Sequence, residues 1–191
     1  GGNGLYALYQ GDVQIATSHL WDGDTGEYNI PYIKSLIPGV ATVIFHLVCR
    51  IQGFYVKKGN PLDIKGWEDL SRPGIRIINR EKGSGVRVLL DEHLRLLGIY
   101  GGEIKGYEKE CTSHIGVASA VSRGEADFGL GIEMAARQVE GLDFVPIQRE
   151  SIELVMKKED FEKPVFKAVA DILNSKEFLD EIEGIGCYDV K

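Results

Sequence analysis

Short apolar runs alternate with stretches of helical period along the whole chain. That alternation predicts an α/β fold with largely parallel sheets. The pattern places a short helix over Leu5–Tyr9, a strand over Val13–Thr17, a polar loop over Ser18–Asn29 and a helix starting at Pro31. Strands follow at Thr42–Cys49 and Gly53–Lys57, joined through Arg50-Ile51-Gln52, and then a turn at Gly59-Asn60-Pro61 and a brief helix over Trp67–Leu70. Pro73-Gly74 ends that helix. A strand over Ile75–Asn79 runs through the loop Arg80–Gly85 into an amphipathic helix over Val86–Leu97, which Gly98 caps.

The remaining pattern predicts a weak strand at Ile104–Tyr107, a helix at His114–Arg123, a strand at Ala126–Leu130 and a helix at Ile132–Val139. Strands at Phe144–Ile147 and Ile152–Met156 precede helices at Phe161–Leu173 and Lys176–Ile182. The paired strands near residues 50 and 150 are natural double crossings between two lobes. They divide the chain into residues 1–52 with 151–191 as one lobe and 53–150 as the other. Neither an internal repeat nor a low-complexity tract interrupts the pattern.

Composition narrows the function classes. The 191 residues carry a formal charge of -7 and no basic run of the kind that tracks a phosphate backbone, so direct nucleic-acid contact is not expected. Local amides and one or two cations can still set a positive field for a small anion. The longest apolar stretch, Val40–Cys49, is far short of the roughly 20 residues a spanning helix needs, and membrane insertion is not expected. Cys49, Cys111 and Cys187 form no metal-like spacing and read as unpaired thiols, which favours the cytoplasm; a removed signal peptide would instead place the protein outside.

Ligands of open α/β sheets bind beyond the carboxyl ends of strands, so the loops after strands hold the candidate chemistry. The strongest is Asn79-Arg80-Glu81-Lys82-Gly83-Ser84-Gly85-Val86-Arg87, where a strand passes through a Gly-Ser-Gly turn into a helix. First-turn amides lack internal partners and carry partial positive charge. Gly83 and Gly85 admit a ligand to the backbone, Ser84 supplies a hydroxyl, and Arg80 or Arg87 a charged donor. The alternative is a glycine-containing loop whose serine only caps its own helix.

Ser18 and His19 end an earlier strand and form a second candidate, against the reading that Ser18 only starts a turn. Asn3 in Gly2-Asn3-Gly4 opens a helix, as does Ser113 in Thr112-Ser113-His114, where capping alone is the competing reading; Gly131 ends the strand Ala126–Leu130 with room for close approach. No GxSxG elbow, HExxH pair, nucleotide P-loop lysine or EF-hand spacing is present. No enzyme, cofactor or bound metal is expected; a Ser/His pair is the sole opening for catalysis.

In this order the segments resemble a known group. They are Ala16-Thr17-Ser18-His19-Leu20, Thr25-Gly26-Glu27-Tyr28-Asn29, Arg50-Ile51-Gln52-Gly53, Gly83-Ser84-Gly85-Val86-Arg87, and Gly124-Glu125-Ala126-Asp127-Phe128-Gly129-Leu130-Gly131. The group is the periplasmic-binding-protein-like domain attached to molybdopterin biosynthesis proteins or to DNA-binding regulators. It is also similar to LysR-type substrate-binding domains and to molybdate- and tungstate-binding proteins. The resemblance implies a two-lobed type II periplasmic-binding-protein-like fold closing by hinge motion on a small oxyanion, molybdate or tungstate. The chain departs from the group in lacking the strand and helix expected before Gly1-Gly2-Asn3-Gly4, so a first lobe either truncated at the N-terminus, completed by a partner, or rebuilt is expected. It favours Ser18, Ser84 and the amides around Gly85 as contacts, with His19, Arg80 and Arg87 secondary. A homodimer or a partner domain is the expected assembly. A regulatory sensor for an organic anion or pterin, or an accessory protein of molybdopterin biosynthesis, is the alternative.

Overall fold

The computed structural model describes residues 2–173, 175 and 176; the side chains of Gly2, Asn3 and Val48 lie outside the described set. The chain separates into two compact units, Gly1–Arg50 with Arg149–Lys191, and Ile51–Gln148. Two 16-residue strands, β2 (Thr42–Lys57) and β6 (Leu142–Lys157), carry the chain from one unit into the other.

Unit 1 holds α1 (Gly2–Gln10), β1 (Ile15–Ser18), α2 (Ile30–Leu36), the first part of β2, the last part of β6, α6 (Lys158–Phe161) and α7 (Pro164–Leu173). Its strand order is β1-β6-β2, and β1 pairs antiparallel with β6 from Ile15 opposite Met156 to Ser18 opposite Glu153. Leu5 and Leu8, one turn apart on α1, are fully buried, as is Val155; Ala16, Ile33, Ile37, Met156, Phe166 and Ala170 complete the apolar interior.

Unit 2 contains β3 (Ile77–Arg80), α3 (Gly85–Leu97), β4 (Glu110–Cys111), α4 (His114–Ser122), β5 (Phe128–Ile132) and α5 (Glu133–Arg137), with the strand order β6-β2-β5-β3-β4. β5 pairs antiparallel with β2 and parallel with β3, and β3 pairs parallel with β4. Central strands buried on both faces need near-continuous apolar runs. Phe54-Tyr55-Val56 and Phe128 through Gly131 meet that condition, covered by Leu89 and Leu90 of α3 and Val117, Ala118 and Val121 of α4. Phe54 meets both Trp67 and Phe128 edge-to-face, at 5.2 and 5.3 Å between ring centres.

Several expectations are corrected. The sheets are mixed rather than largely parallel, because the crossing strand β2 enters unit 2 against the direction of β5. Each expected pair of crossing strands is one continuous strand. Neither Arg50-Ile51-Gln52 nor Gln148-Arg149-Glu150-Ser151 contains a glycine or proline to turn the chain. Pro146 lies within β6, the edge strand of unit 2, where proline is tolerated better than in a central strand.

The strand expected at Ile104–Tyr107 reduces to a bridge between Arg76 and Lys105, and the pairing moves on to Glu110–Cys111. Gly106 sits there at φ 89 with the Ile77 carbonyl where a Cβ would stand, so only glycine fits as the chain bends away from the strand. The helix expected over Phe161–Leu173 begins at Pro164, since a proline starts a helix better than it continues one. Beyond Lys176, the helix expected at Lys176–Ile182 lies outside the described residues. Cys49, expected as a free thiol, is disulfide-bonded, while Cys111 is free.

Candidate functional site

In unit 2 the chemistry gathers where β3 ends. Arg80, the last residue of β3, lies opposite Cys111 of β4, so its side chain meets the start of α4 while its own chain runs on towards α3. Its guanidinium forms a two-pronged pair with Glu81 (2.9 and 3.0 Å). It also reaches His114 Nδ1 (3.2 Å) and donates to the Thr112 carbonyl (3.4 Å). Arginine is always a donor, so the contact fixes His114 Nδ1 as an acceptor. The Arg80 hydrogen bond, partly opposed by burial, holds the Glu81 carboxyl below its ordinary range. Paired in this way, Arg80 offers an anion less than a full charge.

Both helix starts beside Arg80 are capped by serine. The Ser84 hydroxyl accepts from the Arg87 amide (3.2 Å), and the Ser113 hydroxyl from the Gly116 amide (2.9 Å). A hydroxyl that accepts a capping bond keeps its own hydrogen to donate. The amides of Gly85 and Val86 are first-turn amides without intrahelical acceptors. Gly83 is exposed at φ 91, a conformation that favours glycine, and Gly85 is buried.

Arg87 turns the other way. It is 2% exposed, with ion pairs to Asp91 (3.1 Å) and Glu110 (3.0 Å), a hydrogen bond to the Arg80 carbonyl (2.9 Å), and its guanidinium 4.5 Å from the centre of the Tyr107 ring. Burial opposes its charge, but the contacts with Tyr107, Asp91 and Glu110 hold its pKa above the ordinary value. Those contacts lock the β3 end against the first turn of α3. Gly131 serves Tyr55: a Cβ at Gly131 would lie on the Tyr55 hydroxyl, which donates to the Ile132 carbonyl (2.8 Å).

In unit 1 a different arrangement surrounds Ser18 and His19. Ser18 is fully buried and donates to Asn29 Oδ1 (2.7 Å), which also accepts from the Leu20 amide (2.8 Å). Asn29 is itself buried at φ 67 and ψ -47, the centre of a γ-turn that the Ile30 amide closes by donating to the Tyr28 carbonyl (2.7 Å). His19 Nδ1 lies 2.8 Å from Glu150 Oε1, and Arg50 reaches Glu150 Oε2 through Nε (2.9 Å) and Nη2 (2.8 Å). Glu150 is fully buried. Burial alone would push its carboxyl up, but the His19 hydrogen bond and the Arg50 charge outweigh that and hold it low.

The structure thus brings Arg80, Gly83, Ser84 and Gly85 to one strand end, with Ser113 at the neighbouring helix start. It places Ser18 and His19 in unit 1 and turns Arg87 inward. Asn3 lies within α1, and its side chain is outside the described residues. Glu150 escaped the sequence reading, because nothing local distinguishes it from an exposed strand glutamate. Among the described residues, no cluster of His, Cys, Asp or Glu could hold a metal ion, and no helix is long and apolar enough to cross a membrane.

Comparison with known proteins agrees with this architecture. The family described as a PBP superfamily domain matches residues 1–174. The uncharacterized protein YvgK of Bacillus subtilis (strain 168) is 44% identical over 189 residues, and the chain covers 60% of its length. A Clostridium pasteurianum protein, known from the 5' region of a 2Fe-2S ferredoxin gene, is 54% identical over 103 residues, 54% of this chain and 91% of that protein. Among solved structures, a Clostridium perfringens phosphate ABC transporter substrate-binding protein with bound phosphate superposes at a TM-score of 0.67 with 15% identity, covering 100% of this chain and 84% of that one. The Synechocystis PCC6803 CcmR regulatory domain in complex with 2-PG superposes at 0.65 with 10% identity, covering 95% and 79%. By family and by fold, a type II periplasmic-binding-protein-like α/β chain, this protein belongs to the PBP superfamily domain family.

Proposed function

We propose that the chain is a non-enzymatic binding domain for a small tetrahedral oxyanion, molybdate or tungstate, serving sensing or delivery in molybdenum or tungsten cofactor metabolism. The observation that carries this reading is the end of β3, where Arg80 stands between two serine-capped helix starts. Neutral hydroxyls and amides supply most of the donors there, and the one guanidinium is already shared with Glu81. Such a donor set suits a ligand that brings its own charge. The related fold solved with bound phosphate supports an oxyanion as the ligand class. Sulfate and molybdate are both tetrahedral dianions, so selection between them would rest on the size of the space the donors enclose.

A second reading is a regulatory effector-binding domain for a small organic anion, favoured by the likeness to the CcmR regulatory domain. The assembly would then be with a partner domain or a second copy. The fold occurs in both transport receptors and regulators, and the bonded Cys49 takes away the argument from free thiols for the cytoplasm.

Calorimetric titration with molybdate, tungstate, sulfate and phosphate tests the proposal, repeated with Ser84→Asp. Aspartate keeps the helix cap but sets a negative charge where the anion would sit. Binding of molybdate or tungstate that the variant abolishes supports the reading. Heat from none of the four anions overturns it.

A further inference from the structure

Exposure separates the two partners of the ion pair at the end of β3. The Arg80 side chain is 11% exposed and that of Glu81 37%. A guanidinium carries five N–H donors in a fixed plane. Arg80 gives Nε to Glu81 Oε2 and Nη2 to Glu81 Oε1, and Nη2 also reaches the Thr112 carbonyl. Nη1 meets His114 Nδ1. Arg80 is thereby tied to the start of α4 as well as to Glu81. The Glu81 carboxylate is held by Arg80 and by its own backbone amide. It stands in the loop just after β3, so a turn of its own side chain carries it into water while Arg80 stays in place.

We propose that Glu81 is a built-in competitor for Arg80, holding the two-pronged edge of the guanidinium that an arriving oxyanion takes over as the carboxylate swings out. The inference rests on the oxyanion reading above and adds what sets the affinity of that site. The Nε and Nη2 edge gives the same parallel bonds to two oxygens of a carboxylate or two of a tetrahedral oxyanion. One charge-assisted pair is exchanged for another, and no covalent bond or proton is transferred. The ligand therefore gains from Arg80 only the difference between the two pairs. The displaced carboxylate remains on the next residue, where its charge still repels the anion. Glu81 thus lowers affinity twice, by occupying the guanidinium and by its charge.

The Arg50 and Arg87 pairs cannot make this exchange. Glu150, the partner of Arg50, is fully buried, and a carboxylate without water to move into stays with its cation. Arg87 is itself buried and holds Asp91, Glu110 and the Arg80 carbonyl at once, so its guanidinium is closed to an anion from solvent. At Arg80 the cation is fixed and its carboxylate is the half-exposed partner, which is the arrangement that displacement needs.

The test is calorimetric titration of the full chain with tungstate, in wild type and variants whose thermal melts show them folded. Glu81→Gln should bind about tenfold more tightly, because a neutral amide yields the guanidinium more readily than a carboxylate. Glu81→Asp keeps the charge but is one methylene too short to hold both prongs, so it should recover part of that gain, about threefold. Arg80→Gln should weaken binding about threefold or less in wild type, where the anion must first take Arg80 from Glu81, and about tenfold or more beside Glu81→Gln. No gain in Glu81→Gln overturns the competition. A Glu81→Asp affinity equal to wild type, or equal losses from Arg80→Gln in both backgrounds, would make Glu81 a distant charge and overturn it as well. Each of these results leaves the oxyanion reading intact. Heat from none of the proteins overturns both.

Discussion

Asn29 should be among the costliest residues to remove in unit 1, and the cost can be worked from its contacts. Its Oδ1 receives the Ser18 hydroxyl and the Leu20 amide, and its Nδ2 donates to Glu153. Asn29→Ala leaves the fully buried Ser18 hydroxyl and the Leu20 N–H without an acceptor. Each orphaned buried group costs about 1–3 kcal/mol. Alanine must also hold the strained γ-turn geometry at φ 67 and ψ -47. Partial relaxation and water entry return some of this, so the net loss should be about 3–4 kcal/mol. Ser18→Ala removes one of the groups that would be orphaned, so in that background Asn29→Ala should cost about 1–2 kcal/mol less. The assay is urea unfolding followed by Trp21 fluorescence in a Trp67→Phe background, which confines the signal to unit 1. Loss below about 1 kcal/mol for Asn29→Ala, or strict additivity with Ser18→Ala, would refute the network as the reason Ser18 is buried.

Gly131→Ala should destabilise unit 2 by about 1–3 kcal/mol, because its Cβ meets the Tyr55 ring and hydroxyl; thermal melts of the single variant and of the double variant with Tyr55→Leu, which should recover part of the loss, check this. Arg87→Lys should lower stability by about 1–3 kcal/mol, since an ammonium cannot serve Asp91, Glu110 and the Arg80 carbonyl at once; chemical denaturation reads the loss. The folded Glu150 carboxyl titrates below its unfolded value. Its contribution is therefore complete above the unfolded carboxyl range, about pH 4–5, and is lost as pH falls through the depressed folded value. Melting temperature against pH should drop on this acid limb in wild type and drop less steeply in Glu150→Gln. Ser84→Ala should cost about 1 kcal/mol through the lost cap alone, so an affinity change in Ser84→Asp, which keeps the cap, separates binding from helix stability.

Much of this architecture could be read along the chain because its signals are local. The Gly-Ser-Gly turn, Ser84 and Ser113 as caps, and Gly98 as a helix terminator depend on a few adjacent residues and appear where the pattern places them. What failed were inferences about where strands stop. Arg50-Ile51-Gln52 and the residues around Glu150 looked like interruptions because they are polar within apolar runs. A strand tolerates polar residues wherever another element supplies their partners.

The sequence by itself determined the larger helices and the apolar strand cores, the alternation that makes an α/β chain, and the serine and glycine chemistry at the strand ends. Those features follow from hydrophobic period and backbone preference, which act within a turn or two of chain. Only the tertiary structure decided which polar groups face each other. It drew Arg87 inward to Asp91, Glu110 and Tyr107 and spent the Ser18 hydroxyl on Asn29. It also brought Glu150 to His19, 131 positions away in the chain, and to Arg50, 100 away. Such pairings are set by strand register and by the cost of leaving a buried polar group unsatisfied. Neither quantity is written in any local stretch of sequence.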